Sequence, residues 1–330
     1  MKKTRAAITG IGGYVPDYVL TNKELETMVD TNDEWIRART GIRERRIQKE
    51  PGHATSDLAV AAARRLLDQL HANAREVDLL ICATVTEDMS FPDTATLICD
   101  KLGAIHAFGF DMHAACSGFL YAVTTGAQFI QTGMCKKVMV IGADKMSSIV
   151  DYTDRATCIL FGDGAGAVML EPAQDEDDGI IDSVLYNDGE GKDLLYMKAG
   201  GSLNPTSHAT VDRKEHFIYQ DGRPVFKKAV EGMVSAVKEI MARNNLTNED
   251  IDWVVPHQAN MRIITSVSSM LDIPLEKIMI NIDRYGNTTA ATIPLCLWDY
   301  REQLKKGDKV ILTAFGGGFT WGATYVKWAY

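Results

Sequence analysis

The same succession of apolar strands and helices occurs twice along the chain. In the first half, residues 77–85 are a short apolar run, the pattern of a strand buried on both faces. A helical pattern follows over 95–102, then a strand ending near Asp111. The next helix is predicted over about 117–132. It is apolar at Phe119, Leu120, Val123, Phe129 and Ile130, and Gly133 stops it. Residues 137–143 form the following strand. The second half repeats this order with a strand at 251–257, a helix over about 260–271, a strand at 278–282, a loop and helix from Gly286-Asn287, and a strand at 309–314. Cys116 precedes Val138 by 22 residues, and Asn287 precedes Val310 by 23. The repeat therefore sets Asn287 in the place of Cys116. Strands alternating with helices imply parallel βαβ units with both sheet faces covered. Duplication also predicts that the two corresponding helix starts meet near a pseudo-twofold axis.

The acidic, proline-containing stretch 171–179 marks the boundary, dividing the chain into 1–173 and 174–330. A polar loop at 189–213 is too long for a plain connection. It either borders a site or is a surface excursion. With 330 residues, 46% of them hydrophobic, the chain is large enough for an extensive core. A net charge of −9 offers no basic field for nucleic acid or an anionic membrane. No apolar stretch reaches the ~20 residues of a membrane span. The first residues read as a strand and turn, not a signal peptide, because Gly12-Gly13 and Pro16 interrupt them. Six cysteines are scattered without a Cys-x-x-Cys pair. That argues against a metal site and points to a reducing cytoplasm. Cys82, Cys99, Cys158 and Cys296 lie in apolar runs and read as core.

Cys116 is different, because it stands where an extended run gives way to a helix. Unpaired backbone N–H groups and the positive end of the helix dipole converge there, and both favour thiolate over thiol. His257 follows a buried strand that Pro256 ends, at the carboxyl edge where ligand sites gather in α/β sheets. Asn287 lies in a Gly-Asn pair that is also common in turns. The run Phe315-Gly-Gly-Gly-Phe319 lets backbone approach a ligand and aim N–H groups at an oxyanion. A soft nucleophile, an imidazole, an amide donor and a glycine-rich backbone, each at a strand end, suggest acyl transfer through a thioester.

The chain resembles β-ketoacyl-acyl-carrier-protein synthase III over essentially its whole length. The segments that carry the likeness are Asp30-Thr-Asn-Asp-Glu-Trp-Ile36, Arg39-Thr-Gly-Ile-Arg-Glu-Arg45, Ala114-Ala-Cys-Ser-Gly118, Phe161-Gly-Asp-Gly-Ala-Gly166, Val255-Pro-His-Gln-Ala-Asn260, Gly286-Asn-Thr288 and the run from Phe315 to Gly322. The resemblance implies an α/β fold, the thiolase-like five-layered αβαβα sandwich built from two duplicated halves. It implies that Cys116 takes an acyl group from an acyl-CoA primer. His257 and Asn287 would hold the thioester carbonyl of malonyl-acyl-carrier protein and stabilise the enolate formed as carbon dioxide leaves. The N–H groups of Cys116 and Gly317 would form the oxyanion hole. Trp35 and Arg155 would sandwich the adenine of CoA, and Arg39 would meet a phosphate. Phe91, reaching across a homodimer interface, would shape the primer pocket with Leu160 and Phe161. Lys227 and Arg262 would dock the acidic carrier protein, with Ser268-Ser269 standing where the family can carry a basic pair. Arg223 and Lys228 could compensate. Asp163 is expected to be structural. No metal or resident cofactor is implied, since acyl-CoA is a substrate. Two other readings stay open on the residues: an acyltransferase of secondary metabolism with the same triad, and a thioester hydrolase.

Overall fold

The computed structural model describes residues 4–330; Met1 to Lys3, part of the segment read as a first strand, lie outside the described residues. The first half holds strand β1 (Ala6–Tyr14), the ribbon of β2 (Val19–Thr21) with β3 (Glu44–Arg46), and strands β4 (Leu79–Ala83), β5 (Phe108–Met112), β6 (Val138–Asp144) and β7 (Gly164–Pro172). The second holds β8 (Gly179–Asn187), the ribbon of β9 (Leu195–Met197) with β10 (Ile218–Gln220), and strands β11 (Trp253–Pro256), β12 (Lys309–Gly316) and β13 (Thr320–Lys327). One sheet runs β1-β7-β6-β4-β5, the other β8-β13-β12-β11. Each sheet is mixed. β4 pairs in parallel with β5 and β6, and β11 with β12, while the remaining pairings are antiparallel. The expectation of purely parallel units holds only for β6-β4-β5 and β12-β11, at one side of each sheet.

The α-helices among the described residues are α1 (Asn22–Leu25), α2 (Asp33–Thr40), α3 (Thr55–Leu70), α4 (Thr94–Leu102), α5 (Gly118–Gln131), α6 (His208–Asp212), α7 (Gly222–Arg243), α8 (Met261–Leu271), α9 (Ile282–Tyr285) and α10 (Thr292–Tyr300). Strand period decides the layering. Leu79, Ile81 and Ala83 of β4 face a core shared with Phe119 and Val123 of α5 and Ile293 and Leu297 of α10. Leu80 and Cys82, pointing the other way, pack with Leu58 and Leu66 of α3 and Ile98 of α4. In the second sheet Val255 and Leu312 join the central core, while Val254 and Ile311 face Val237 of α7 and Ile264 of α8. The layers are therefore α3/α4, sheet, α5/α10, sheet, α7/α8, the five-layered αβαβα sandwich. Burial on both faces explains why these strands read as continuous apolar runs.

The expected strand at 278–282 does not form. Only Ile278 bridges to Val254, and Met279 donates its N–H to the Val254 carbonyl at 3.0 Å. The side chain of Gln258 takes the next backbone groups, donating to the Met279 carbonyl and accepting from the N–H groups of Asn281 and Ile282. With those groups satisfied, no ladder continues, and the second sheet has four strands where the first has five.

Candidate active site

Two short 3-10 turns, Ala115–Ser117 and Thr289–Ala291, lead into α5 and α10. Each opens on a residue with positive φ, Ala115 at 46° and Thr289 at 53°. The turns touch across the central layer, where a Cβ on Gly118 would lie 3.7 Å from that of Ala290. Each also packs against the central strand of the other half. A Cβ on Gly316 of β12 would come within 2.6 Å of the Cys116 nitrogen, and one on Gly142 of β6 within 2.2 Å of the Ala290 carbonyl. Only glycine admits this approach. Matching the two positive-φ residues pairs Cys116 with Ala290 and Asn287 with His113. The sequence register that equated Asn287 with Cys116 is thus off by three residues, because it counts back from the following strand and the helix between is shorter in the second half, nine residues in α10 against 14 in α5.

The turns open onto one cavity of about 960 Å³. Cys116, His257, Asn287, Gly317, Leu160 and Phe161 all line it. Thr320 at the start of β13 holds the cysteine turn in place. Its hydroxyl donates to the Ala114 carbonyl at 2.8 Å, and its own carbonyl accepts from the Ser117 hydroxyl at 3.0 Å.

Burial sets the protonation states. It pushes the Cys116 thiol well up, and the nearby Asp144 carboxylate adds to the push. The expected thiolate is therefore not the resting form. A helix start offers roughly 0.3–1 kcal/mol, whereas full desolvation can move a pKa by 3–5 units of about 1.4 kcal/mol each. Burial also pushes the His257 imidazole down to about 3, so the ring is neutral at ordinary pH. Its backbone N–H is fixed to the Thr313 carbonyl at 2.8 Å, while Nδ1 is buried without a protein partner. Neither tautomer is locked, so the ring can accept a proton or donate one. The Oδ1 of Asn287 accepts the N–H of Thr289 at 3.0 Å, which leaves the amide NH2 as a free donor. The Asn287 backbone is held by the Leu160 carbonyl and the Gly162 N–H. A thiol, a neutral imidazole and a fixed amide donor in a desolvated cavity suit nucleophilic acyl transfer and the stabilisation of a developing oxyanion.

The family described as 3-oxoacyl-acyl-carrier-protein (ACP) synthase III matches residues 110–189, and its C-terminal part matches residues 241–328. The β-ketoacyl-acyl-carrier-protein synthase III 1 of Bacteroides thetaiotaomicron is 58% identical over all of this chain and 98% of its own length. This chain belongs to the β-ketoacyl-acyl-carrier-protein synthase III family. The namesake from Chlorobaculum tepidum is 56% identical over 98% of this chain and 99% of the relative. The crystal structure of the Aquifex aeolicus synthase III superposes with a TM-score of 0.90 at 42% identity, covering 98% of this chain and 100% of that one.

The synthase III resemblance assigned further residues, and the structure distributes them unevenly. Trp35 and Arg39 line the cavity, and Arg39, Arg223 and Arg262 are exposed there, forming a cationic mouth. Arg155 does not line it. Its guanidinium lies 5.0 Å from the Trp35 ring centroid and donates to the Asp30 carbonyl at 2.8 Å. A purine between the two planes would need about 7 Å, two van der Waals contact distances, so Arg155 must swing aside for a base to enter. Phe91 is 84% exposed and absent from the cavity of its own chain. Lys227 is exposed on α7 beside Glu231, and Lys228 reaches toward Asp188. The Ser268 hydroxyl is buried and donates to the Ile273 carbonyl at 2.6 Å, so of that pair only Ser269 faces solvent. Asp163 is structural: it accepts from the Gln48 N–H and from both the N–H and hydroxyl of Ser147. The long loop borders the cavity through β9 and Gly200-Gly201. Sequence reasoning missed Met146 and Met233 at the cavity, and Asp144 beside it. All three sit in ordinary strand or helix patterns that carry no motif.

Proposed function

We propose that this chain condenses a short acyl-CoA primer with malonyl-acyl-carrier protein, releasing carbon dioxide and giving a β-ketoacyl-acyl-carrier protein, the step that initiates fatty-acid synthesis. The observation that carries the reading is the convergence of Cys116, His257 and Asn287 on one cavity in a chain of this family. In the first half-reaction the Cys116 sulfur attacks the primer thioester, its proton passes to neutral His257, and CoA leaves with that proton. The N–H groups of Cys116 and Gly317 receive the tetrahedral oxyanion. In the second, the malonyl thioester oxygen sits between His257 and the Asn287 NH2. Loss of carbon dioxide builds negative charge on that oxygen, so both donors bind the transition state more strongly than the ground state. The carbanion then attacks the acyl-Cys116 carbonyl, the C–S bond breaks, and the sulfur leaves as thiolate and takes up a proton from solvent to restore the thiol.

Trp35, Arg39 and Arg155 would hold CoA, the guanidinium groups suiting phosphate and stacking. Arg262, with Arg223 and Lys227, offers the local basic surface that an acidic carrier protein needs on a chain of net charge −9. The exposure of Phe91 and the open edge of β5, with Phe108 44% exposed, supports a homodimer in which Phe91 completes the partner's primer pocket. All six cysteines are free thiols, which fits a reducing, cytoplasmic setting. A priming β-ketosynthase of the R1128 polyketide pathway superposes at a TM-score of 0.90 with 32% identity, which keeps a secondary-metabolic acceptor as the second reading. Incubation with radiolabelled acyl-CoA should leave one label per subunit on Cys116, stable until malonyl-acyl-carrier protein is added. A label that hydrolyses without any acceptor would sink the condensing reading and favour a hydrolase.

A further inference from the structure

We infer that Asp144 is a positioning residue for Asn287, pinning the second turn in the one register that aims the Asn287 amide into the cavity. The inference rests on the condensing reading of the site. Asp144 ends β6, is wholly buried and does not itself line the cavity. One carboxylate oxygen accepts three bonds, from the Thr84 hydroxyl at 3.0 Å, the Val85 N–H at 2.8 Å and the Thr86 hydroxyl at 2.9 Å. The other accepts the N–H of Ala290 at 3.0 Å.

That last bond crosses from one half of the molecule to the other. Ala290 directly follows Thr289, the residue at φ 53° whose N–H fixes the Asn287 amide oxygen. Two consecutive N–H groups of one turn therefore point to two side chains, Thr289 to Asn287 and Ala290 to Asp144. A β-branched residue at positive φ keeps that conformation only where its surroundings enforce it. The Ala290 carbonyl packs so closely on Gly142, two residues before Asp144, that a Cβ there would lie 2.2 Å from it, so the end of β6 touches Ala290 at its carbonyl as well as bonding its N–H. Four donors converge on one side chain that is free of any cation partner among the described residues. Only a carboxylate accepts on both sides. Asparagine would turn an NH2 against the Ala290 N–H while keeping the three bonds on the Thr84 side. That substitution is therefore directed at the link to the second turn.

The test measures malonyl-acyl-carrier-protein decarboxylation by the full chain carrying Cys116→Ala, which cannot condense. Adding Asp144→Asn should lower kcat about 10–100-fold with KM little changed, the effect of a donor displaced by a fraction of an ångström. Adding Asp144→Asn to a parent that already carries Asn287→Ala should cost less than roughly threefold more, because both changes act through one amide. Thr84→Val removes one donor to the carboxylate and leaves the Ala290 bond. It should lower kcat about twofold to fivefold with the same sub-additivity, and it keeps the test standing if Asp144→Asn fails to fold. Additive losses with Asn287→Ala, or a raised KM at unchanged kcat, overturn the inference and leave the condensing reading intact. A Cys116→Ala parent that does not decarboxylate at all overturns the condensing reading before Asp144 is touched, and this inference with it.

Discussion

The two turns at the centre of the molecule share a backbone and differ in chemistry. Ala115–Ser117 and Thr289–Ala291 have the same 3-10 form, the same positive-φ start and the same helix behind them. The first exposes a thiol one residue after the strained position. The second exposes an amide two residues before it. The counterpart of Cys116 is Ala290, whose N–H serves Asp144, and the counterpart of Asn287 is His113, which lines the cavity with its side chain largely exposed. Duplication supplied two equivalent anchors facing one space. In the proposed reaction, side chains at different offsets from those anchors make one half the acyl carrier and the other the oxyanion donor.

The hardest blow to this division of labour is removal of each half's own group. Cys116→Ala should abolish condensation and acyl labelling yet retain malonyl decarboxylation, since the second turn is untouched. Asn287→Ala should do the reverse, keeping Cys116 acylation while decarboxylation falls about 10²–10³-fold, the usual cost of one oxyanion donor. Both are read by comparing acyl labelling with carbon dioxide release. If Asn287→Ala slowed both half-reactions equally, the amide would serve acyl transfer as well, and the two turns would not divide the work.

Much of this was legible in the sequence. The strand order, the helix behind Cys116 and the strand that delivers His257 follow from apolar period and from Gly and Pro punctuation. Three things were not. The register of the repeat slipped because hydropathy fixes no common length for the helix and loop between each turn and its following strand, so counting back from the strands misplaced Asn287. The fifth strand of the second sheet failed because one side chain, Gln258, satisfied its backbone, and competition for hydrogen bonds leaves no trace in hydropathy. The protonation of Cys116 was misread because a helix start is a local feature, whereas desolvation belongs to the whole cavity. Arg155 and Phe91 fall in the same class: the motif names the residue, and only packing tells whether it faces the site.

A smaller effect tests the desolvated character of the second half. Neutral His257 has its pKa lowered to about 3 in the folded chain, against an ordinary value near 6.5. Below 6.5 the unfolded chain binds the extra proton and the folded chain does not, so stability falls as pH drops toward 3. At pH 5 this histidine alone should cost about 2 kcal/mol, and His257→Gln should flatten that part of the profile. Asp144, raised by burial to about 6, acts in the opposite sense: its stabilising protonation is complete below its ordinary value and is lost as pH rises through 6. Denaturant midpoints from pH 7 to pH 4 measure both. An unchanged slope in His257→Gln would mean the ring is protonated in the folded chain, and its role as proton acceptor would fall.

The smallest expected effect separates the anchors themselves. Ala115 and Thr289 sit at φ 46° and 53°, where an L side chain costs roughly 1–2 kcal/mol and glycine costs none. Glycine also loosens the unfolded chain by about 0.4–1 kcal/mol, so Ala115→Gly should change stability by no more than about 1 kcal/mol, in the stabilising direction. Thr289→Gly gains the same backbone relief but loses a buried methyl, at about 0.8 kcal/mol, while removing a buried hydroxyl that has no partner. It should come out near zero. Chemical denaturation of the two variants therefore compares the turns directly. Equivalent backbone strain requires the two shifts to agree within about 1 kcal/mol once the methyl is counted. A loss above about 2 kcal/mol in Ala115→Gly alone would mean that the first turn depends on its side chain, and that the likeness of the two anchors is geometric without being energetic.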